Sequence, residues 1–184
     1  MPDNELYGRV DFTLSTGLVP WDDPSEYVHT VTGKIIVDSE TGEETNAGEI
    51  ILRVVSATEA TNHGEDLYDV CDADSAVLGG IYAALFDQQG ETKDELDIEP
   101  GWSNLVFLEK VEVESQYRQT SLVTQVIETA LAMFASEGLV VAVEEGLRLS
   151  TEEWKRLGFM RIAETGLVFR DQLKVNPYRD EKSV

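Results

Sequence analysis

The strongest constraint on the fold of this chain is a change of hydrophobic periodicity between residues 104 and 143. Residues 104–114 begin with a continuous apolar run and then alternate apolar and charged side chains, which is typical of a strand that emerges at an edge or cleft. Helical spacing of apolar residues starts near Thr120, and we expect Gly138 to end the helix in a left-handed conformation. Residues 139–143 are apolar and β-branched, so the order predicts a parallel strand–helix–strand unit with a right-handed crossover.

The turn before this predicted helix has the chemistry of an anion site. The first amides of a helix lack internal partners and lie at the positive end of the helix dipole. Arg118 adds a cation, and the hydroxyl of Ser121 can cap the helix or contact a phosphate. The branched side chain of Val123 would narrow the space available to a phosphate. An ordinary strand-to-helix connection, capped by Ser or Thr, is the alternative interpretation.

A second helix start follows at Ser150, which with Glu153 forms a capping-box pattern. The predicted short helix carries Trp154 and should end at Gly158. Residues 159–162 and 167–169 then form a hairpin around a polar turn. We interpret Trp154 as a large aromatic of the core or of a cleft wall.

These segments resemble the GNAT superfamily of N-acetyltransferases over residues 104–170. The family's loop for coenzyme A, Arg/Gln-x-x-Gly-x-Gly/Ala, corresponds here to residues 118–123, so Ser121 and Val123 replace small glycine-like residues. Trp154 stands where the family often has a tyrosine that protonates the leaving thiolate, and an indole N–H cannot do this. The Leu-Gly-Phe sequence at 157–159 also matches. The resemblance implies acetyl-CoA, or another acyl-CoA, as cosubstrate, bound by the residues Val111, Val113, Arg118, Gln119, Thr120, Ser121, Leu122 and Val123.

The resemblance also implies a mechanism of direct transfer to an amine. A main-chain amide near Val113 would polarise the thioester carbonyl, and a carboxylate on the same strand would deprotonate the ammonium of the acceptor. Glu109 and Glu112 are the candidate bases, and strand alternation predicts that they lie on opposite faces, with only one at the cleft. The alternative for each is a charged residue on a solvated strand end.

The N-terminal half is rich in predicted strands. Residues 6–14 alternate as a half-buried strand, and residues 27–37 and 48–55 form a hairpin around a polar loop. A helical tract covers residues 65–86, in which Asp74 is either the N-cap of a second helix or a carboxylate of the acceptor cleft. Three strands before this tract differ from the usual GNAT order. The predicted class is therefore α/β (α+β), with a central mixed, mostly antiparallel sheet flanked by helices.

Composition restricts the partners. Lys and Arg total 14 against 36 Asp and Glu, a formal net charge of −22, which argues against nucleic-acid and anionic-membrane binding. The acidity favours a small-molecule or peptide amine as acceptor, or serves solubility alone. Cys71 is expected in the core, and the spacing of His29 and His63 suggests no metal site. No signal peptide is recognisable, so we expect a cytoplasmic protein. At 184 residues we expect one domain with a polar tail from Asp171, and a homodimer is compatible with the sequence.

Two functional hypotheses follow. The first is an N-acyltransferase that moves an acyl group from acyl-CoA to an amine, motivated by the strand, the Arg118 turn and the Leu-Gly-Phe match. The second is a catalytically inactive GNAT-like domain that binds a protein partner or senses a ligand. The residues at positions 121, 123 and 154 motivate the second hypothesis.

Overall fold

The computed structural model describes residues 8–15, 23–38, 42–118 and 121–175. These residues form a seven-stranded sheet with the order β1-β2-β3-β4-β5-β7-β6. The strands are β1 (Gly8–Ser15), β2 (Val28–Asp38), β3 (Glu44–Val55), β4 (Asn104–Val113), β5 (Gly138–Val143), β6 (Met160–Ile162) and β7 (Leu167–Asp171). All neighbouring strands pair antiparallel except β4 and β5, so the predicted mixed, mostly antiparallel sheet flanked by helices is confirmed.

The helices are α1 (Ala57–His63), α2 (Leu67–Asp74), α3 (Ala76–Leu85), α4 (Leu122–Phe134), α5 (Thr151–Arg156) and α6 (Gln172–Val175). As expected, α4 connects the parallel strands β4 and β5. The sequence did not predict α1, because its buried face consists only of Ala57 and Ala60 and so has no large apolar stripe.

Hydrophobic cores cover both faces of the sheet. On one face, α4 and α5 pack with Val106 and Leu108 of β4, and on the other face, α1 to α3 pack with Leu105 and Phe107. The continuous apolar run at the start of β4 is explained by this double burial, since both its faces contact helices.

Two β-bulges interrupt the pairing of β3. Ala47 is an extra residue between positions that pair with β2, and Glu109 is an extra residue of β4 opposite Ile51 and Leu52. A bulge shifts the alternation of side chains by one residue. After Glu109, Val111 and Val113 therefore return to the face covered by α4.

Two local predictions were wrong. Gly138 is not a left-handed cap but the first residue of β5, where a Cβ would lie 3.2 Å from the carbonyl oxygen of Asn104. The helical tract does split at residue 75, but Ser75 rather than Asp74 is the N-cap of α3, because its hydroxyl accepts from the amide of Leu78. Residues 171–173, at the start of the predicted polar tail, are buried, and the carboxylate of Asp171 accepts from the amides of Glu99 and Leu173. The end of the tail lies outside the described residues.

Candidate functional site: a cleft where two parallel strands separate

The two parallel strands pair only over part of their length. Residues 104–108 of β4 face residues 138–142 of β5, and β4 then continues to Val113 while β5 ends at Val143. A cleft of about 220 Å³ opens beside the free part of β4. Its walls are formed by Val111, Glu112, Val113, Arg118, Val123, Gly146, Leu147, Arg148, Leu149 and Glu153. The site therefore lies at the carboxyl ends of the parallel strands, where α/β sheets commonly bind ligands.

The edge of β4 presents main-chain polar groups to this cleft. The amide of Glu114 donates to the carbonyl of Ala47 on β3, at 2.8 Å. Because main-chain groups alternate between the two sides of a strand, those of Val111 and Val113 point away from β3, toward the cleft. Within the described residues, neither the Val111 amide nor the Val113 amide donates a hydrogen bond on the cleft side of β4. The carbonyl oxygen of Val113 accepts a hydrogen bond from Nε of Arg118 at 3.1 Å.

The start of α4 forms the next part of the site. Gln119 and Thr120, two of the predicted ligand-binding residues, lie outside the described residues. The Ser121 side chain does not cap α4, and its hydroxyl oxygen accepts from Nε2 of Gln125 at 3.1 Å. Val123 lines the cleft as expected, but Leu122 is buried in the core beneath α4 and does not line the cleft.

Arginines concentrate around the cleft. Of the twelve described Lys and Arg residues, seven have a carboxylate partner within 4 Å: Arg9, Arg53, Lys110, Lys155, Arg161, Arg170 and Lys174. Arg118 and Arg148, which line the cleft, have no such partner within the described part of the chain. Nor does Arg156, which reaches α4 by donating to Oγ1 of Thr124 at 3.4 Å. A chain with a net charge of −22 thus lines this cleft with two cations, Arg118 and Arg148, that have no carboxylate partner among the described residues, which favours an anionic ligand there. Arg156 does not line the cleft.

The two candidate bases lie on the same face of the sheet, so the prediction of opposite faces was wrong. Glu109 accepts from Nε of Arg53 at 2.8 Å, and Glu112 and Glu49 both pair with Lys110, at 3.0 and 2.6 Å. Glu49 and Arg53 are four residues apart on β3 and so share a face. The bulge at Glu109 is the cause. Glu112 lines the cleft and Glu109 does not.

Asp74, the other carboxylate that the sequence singled out, does not line the cleft. Its Oδ1 pairs with Nη1 of Arg53 at 3.3 Å, while Nε of the same guanidinium binds Glu109. The hydrogen bond to Glu109 raises the pKa of Arg53. Burial lowers this pKa, and the negative charge of Asp74 raises it further. Arg53, Asp74 and Glu109 form a cluster, the Arg53 cluster, in which one guanidinium joins α2 to the sheet.

The helix α5 supports the opposite wall. The predicted capping box is present: Ser150 Oγ accepts from the amide of Glu153 at 3.2 Å, and Glu153 accepts from the Ser150 amide at 2.8 Å. Hydrogen bonds from the Ser150 hydroxyl and amide lower the pKa of Glu153. Trp154 is 2% exposed, as predicted for a core aromatic. Its ring packs edge to face against Phe159, with the ring centroids 5.0 Å apart.

Sequence reasoning missed the wall formed by residues 146–149. The sequence indicates this wall only by its position directly after the β-branched run of β5, because ligands commonly bind at the carboxyl ends of parallel strands. Among the described residues, no cluster of three or more His, Cys, Asp or Glu side chains could hold a metal ion. None of the described helices combines the length and the apolar character needed to cross a membrane.

Comparison of the chain with protein-family models, curated proteins and solved structures gives no match. The candidate site therefore rests on its own geometry.

Proposed function

We propose that this protein is a GNAT-like N-acyltransferase, which binds acetyl-CoA or another acyl-CoA in the cleft and transfers the acyl group to an amine. The observation that carries the proposal is the free edge of β4. Beyond Leu108 no strand of the described residues pairs with this edge of β4, and main-chain groups of Val111 and Val113 face a cleft.

An extended ligand with amide groups complements such an edge. A peptide-like arm can add to an open strand through main-chain hydrogen bonds, as in β-strand addition. The pantetheine arm of coenzyme A carries two amides and ends in the thioester. In this arrangement the amide of Val113 donates to the thioester carbonyl, whose oxygen gains negative charge during the reaction, and one such donor can be worth about 2.7–4 kcal/mol.

The electrostatics of the cleft support an anionic cosubstrate. The diphosphate of coenzyme A would lie by the start of α4, where helix amides and the dipole favour a phosphate. Arg118 and Arg148 line the cleft without a carboxylate partner among the described residues, and guanidinium groups suit phosphate oxygens. The repulsion from the remaining net negative charge is screened over about 8 Å at physiological salt.

The chemical step needs a base for the acceptor. The neutral amine attacks the thioester carbon, the carbon–sulfur bond breaks, and coenzyme A leaves as the thiolate. Of the two candidate bases only Glu112 borders the cleft, and its carboxylate pairs with Lys110 on the face of the sheet opposite α4. The amine proton would therefore reach Glu112 through water, and the thiolate would take a proton from water, because the Trp154 indole cannot supply one.

One observation favours the second candidate, a domain that binds acyl-CoA without transfer. Glu109 and Glu112 are both paired with cations, Arg53 and Lys110. Neither carboxylate can meet an acceptor amine unless its ion pair opens. Binding without turnover in the presence of amines would identify this second function.

A thermal-shift titration with acetyl-CoA tests the binding step. A ligand at about a hundred times its Kd adds about 2.7 kcal/mol of stability, which raises the Tm by about 5–10 °C in a chain of this size. We expect Arg148→Ala to weaken binding about tenfold or more, because a charged hydrogen bond is worth about 1.5–3 kcal/mol.

Lys34→Ala is the matched control, since Lys34 is an exposed, unpaired cation of β2 away from the cleft. Equal losses in the two variants would show that only the overall charge matters. An unchanged Tm at millimolar acetyl-CoA would contradict the proposal. Release of free thiol from acetyl-CoA, measured with added amines, then separates transfer from binding alone.

A further inference from the structure

A groove with no role in the acyl-transfer proposal lies on the face covered by α1 to α3. It sits at the opposite end of β4 from the cleft, since Trp102, just before β4, contributes to its wall. Two adjoining cavities of about 620 and 420 Å³ form it and share the residues Asp66, Tyr82 and Gly90. Volumes of this size match the usual range for small-molecule sites, about 300–1,000 Å³.

The hydroxyl of a mostly buried tyrosine opens into the floor of this groove. Tyr82 is only 8% exposed and lines both cavities. Its hydroxyl makes no hydrogen bond within the described part of the chain, and it faces Gly90, where a Cβ would lie 3.3 Å away. The hydroxyl is therefore open to a partner from the groove. A ligand with an N–H or O–H group can supply the missing partner.

Aromatic rings surround this hydroxyl. Tyr82 stacks on Phe86 with ring centroids 4.6 Å apart and meets Tyr68 edge to face at 5.5 Å. Phe86 in turn contacts Trp102 at 5.5 Å, and Tyr68 remains 44% exposed at the rim. Such a surface accepts an apolar body, and the faces of the rings attract a cation.

The charges of the groove also select a cation. Burial raises the pKa of Tyr82, and the next largest cause is the negative charge of Asp66, so this carboxylate lies near the hydroxyl. Among the described residues, Lys93 is the one cation of the groove lining, and its Nζ donates to two main-chain carbonyls at the end of α3, at 2.8 and 3.2 Å. Four carboxylates line the two cavities: Glu65, Asp66, Asp69 and Asp87.

We propose that this groove binds a small organic ammonium ion with an apolar body. One ammonium N–H donates to the hydroxyl oxygen of Tyr82, the positive charge lies near Asp66, and the apolar body packs on Phe86 and Trp102. The size of the cavities, and the position of the hydroxyl on a mostly buried side chain at their floor, commit the site to a free small molecule. The inference does not depend on acyl transfer, because it uses none of the residues of the cleft.

Three probes of similar shape separate charge from hydrogen bonding. Cyclohexylmethylammonium has both charge and N–H groups, its trimethyl derivative has charge without N–H, and cyclohexylmethanol has no charge. Binding is followed by NMR through the indole N–H of Trp102 at neutral pH and constant ionic strength. We expect saturable binding of the primary ammonium, with each of the other two probes about tenfold weaker.

Variants of the groove locate the interaction. Tyr82→Phe keeps the ring and removes only the hydroxyl, so it should weaken the primary ammonium about tenfold and leave the trimethyl probe unchanged. Asp66→Asn removes charge but keeps a residue that caps α2 well, and it should weaken both cations. Glu59→Gln, an exposed change on α1 outside both cavities, should weaken neither.

Several outcomes would overturn the inference. These are the absence of saturable binding, equal affinity for the alcohol and the primary ammonium, or an unchanged affinity in Tyr82→Phe. Equal effects of Glu59→Gln and Asp66→Asn would show diffuse attraction to an acidic protein. Tighter binding of a blocked Ala-Lys-Ala peptide than of the primary ammonium would assign the groove to a protein partner instead.

Discussion

Replacing Gly48 by alanine should disrupt the pairing of β3 with the part of β4 that lines the cleft. Gly48 faces Val113 and has φ +153°, a conformation that residues with a Cβ rarely adopt. A Cβ at this position would lie 2.0 Å from the carbonyl oxygen of Glu112 and 2.9 Å from Cα of Val113. Both contacts are with backbone atoms, so no side-chain rotation can relieve them.

The expected loss of stability combines two effects. Forcing extra atoms into a packed region costs about 1–3 kcal/mol, and a strained backbone conformation costs about 1–3 kcal/mol. We therefore expect Gly48→Ala to lower the free energy of unfolding by about 2–6 kcal/mol, with a Tm about 5–20 °C lower. The assay is urea denaturation with the m-value compared between variants.

Gly80→Ala is the matched control. Gly80 lies inside α3, is exposed, and has no atom within 4 Å of the position of an added Cβ. Both substitutions reduce the freedom of the unfolded chain in the same way, so their difference reports the native contacts. Gly80→Ala should stabilise the protein by about 1 kcal/mol. If Gly48→Ala stays within about 0.5 kcal/mol of the parent, a range typical of unconstrained surface positions, the close approach of β3 to Glu112 does not exist.

Two further predictions concern single side chains. Glu153→Ala removes a capping box and should lower the free energy of unfolding by about 0.5–2 kcal/mol at neutral pH, whereas Glu152→Ala, its exposed neighbour, should have a small effect. The folded state lowers the pKa of Glu153. The stability that Glu153 contributes is therefore complete above its unfolded pKa of about 4.3 and is lost as the pH falls through the folded pKa. Urea titrations from pH 6 to pH 3 should show the free energies of unfolding of the parent and of Glu153→Ala converging. Burial raises the pKa of Cys71 to about 12. At pH 8 the native protein should therefore react with a thiol reagent only as fast as it unfolds. A rapid reaction in the absence of denaturant would contradict this prediction.

The parallel unit was predictable because its signals are local. Apolar runs of different period mark β4, α4 and β5, and the capping box of α5 is a four-residue pattern. The bulge also leaves one trace in the sequence. Glu109 and Lys110 are adjacent polar residues between the buried Leu108 and Val111, so the two-residue period fails once.

The composition of the cleft was not predictable in the same way. Arg148 and Arg156 approach the start of α4 only because the crossover brings the end of β5 beside it. No local pattern carries that information, since Arg148 and Arg156 lie 30 and 38 positions after Arg118. The Arg53 cluster is of the same kind, because it joins α2, β3 and β4.

The single extra residue at Glu109 accounts for both the shape and the charge of the cleft. It lies where the pairing of β4 with β5 ends, and it turns Val111 and Val113 toward α4 while Lys110 and Glu112 share the other face. The cleft thus receives apolar side chains and free main-chain groups, and the strand's carboxylates are paired with Arg53 and Lys110 instead. Since screening limits the field of the distant acidic surface to about 8 Å, the unpaired arginines decide which ligands enter. A protein with a net charge of −22 can in this way hold a local site for an anion.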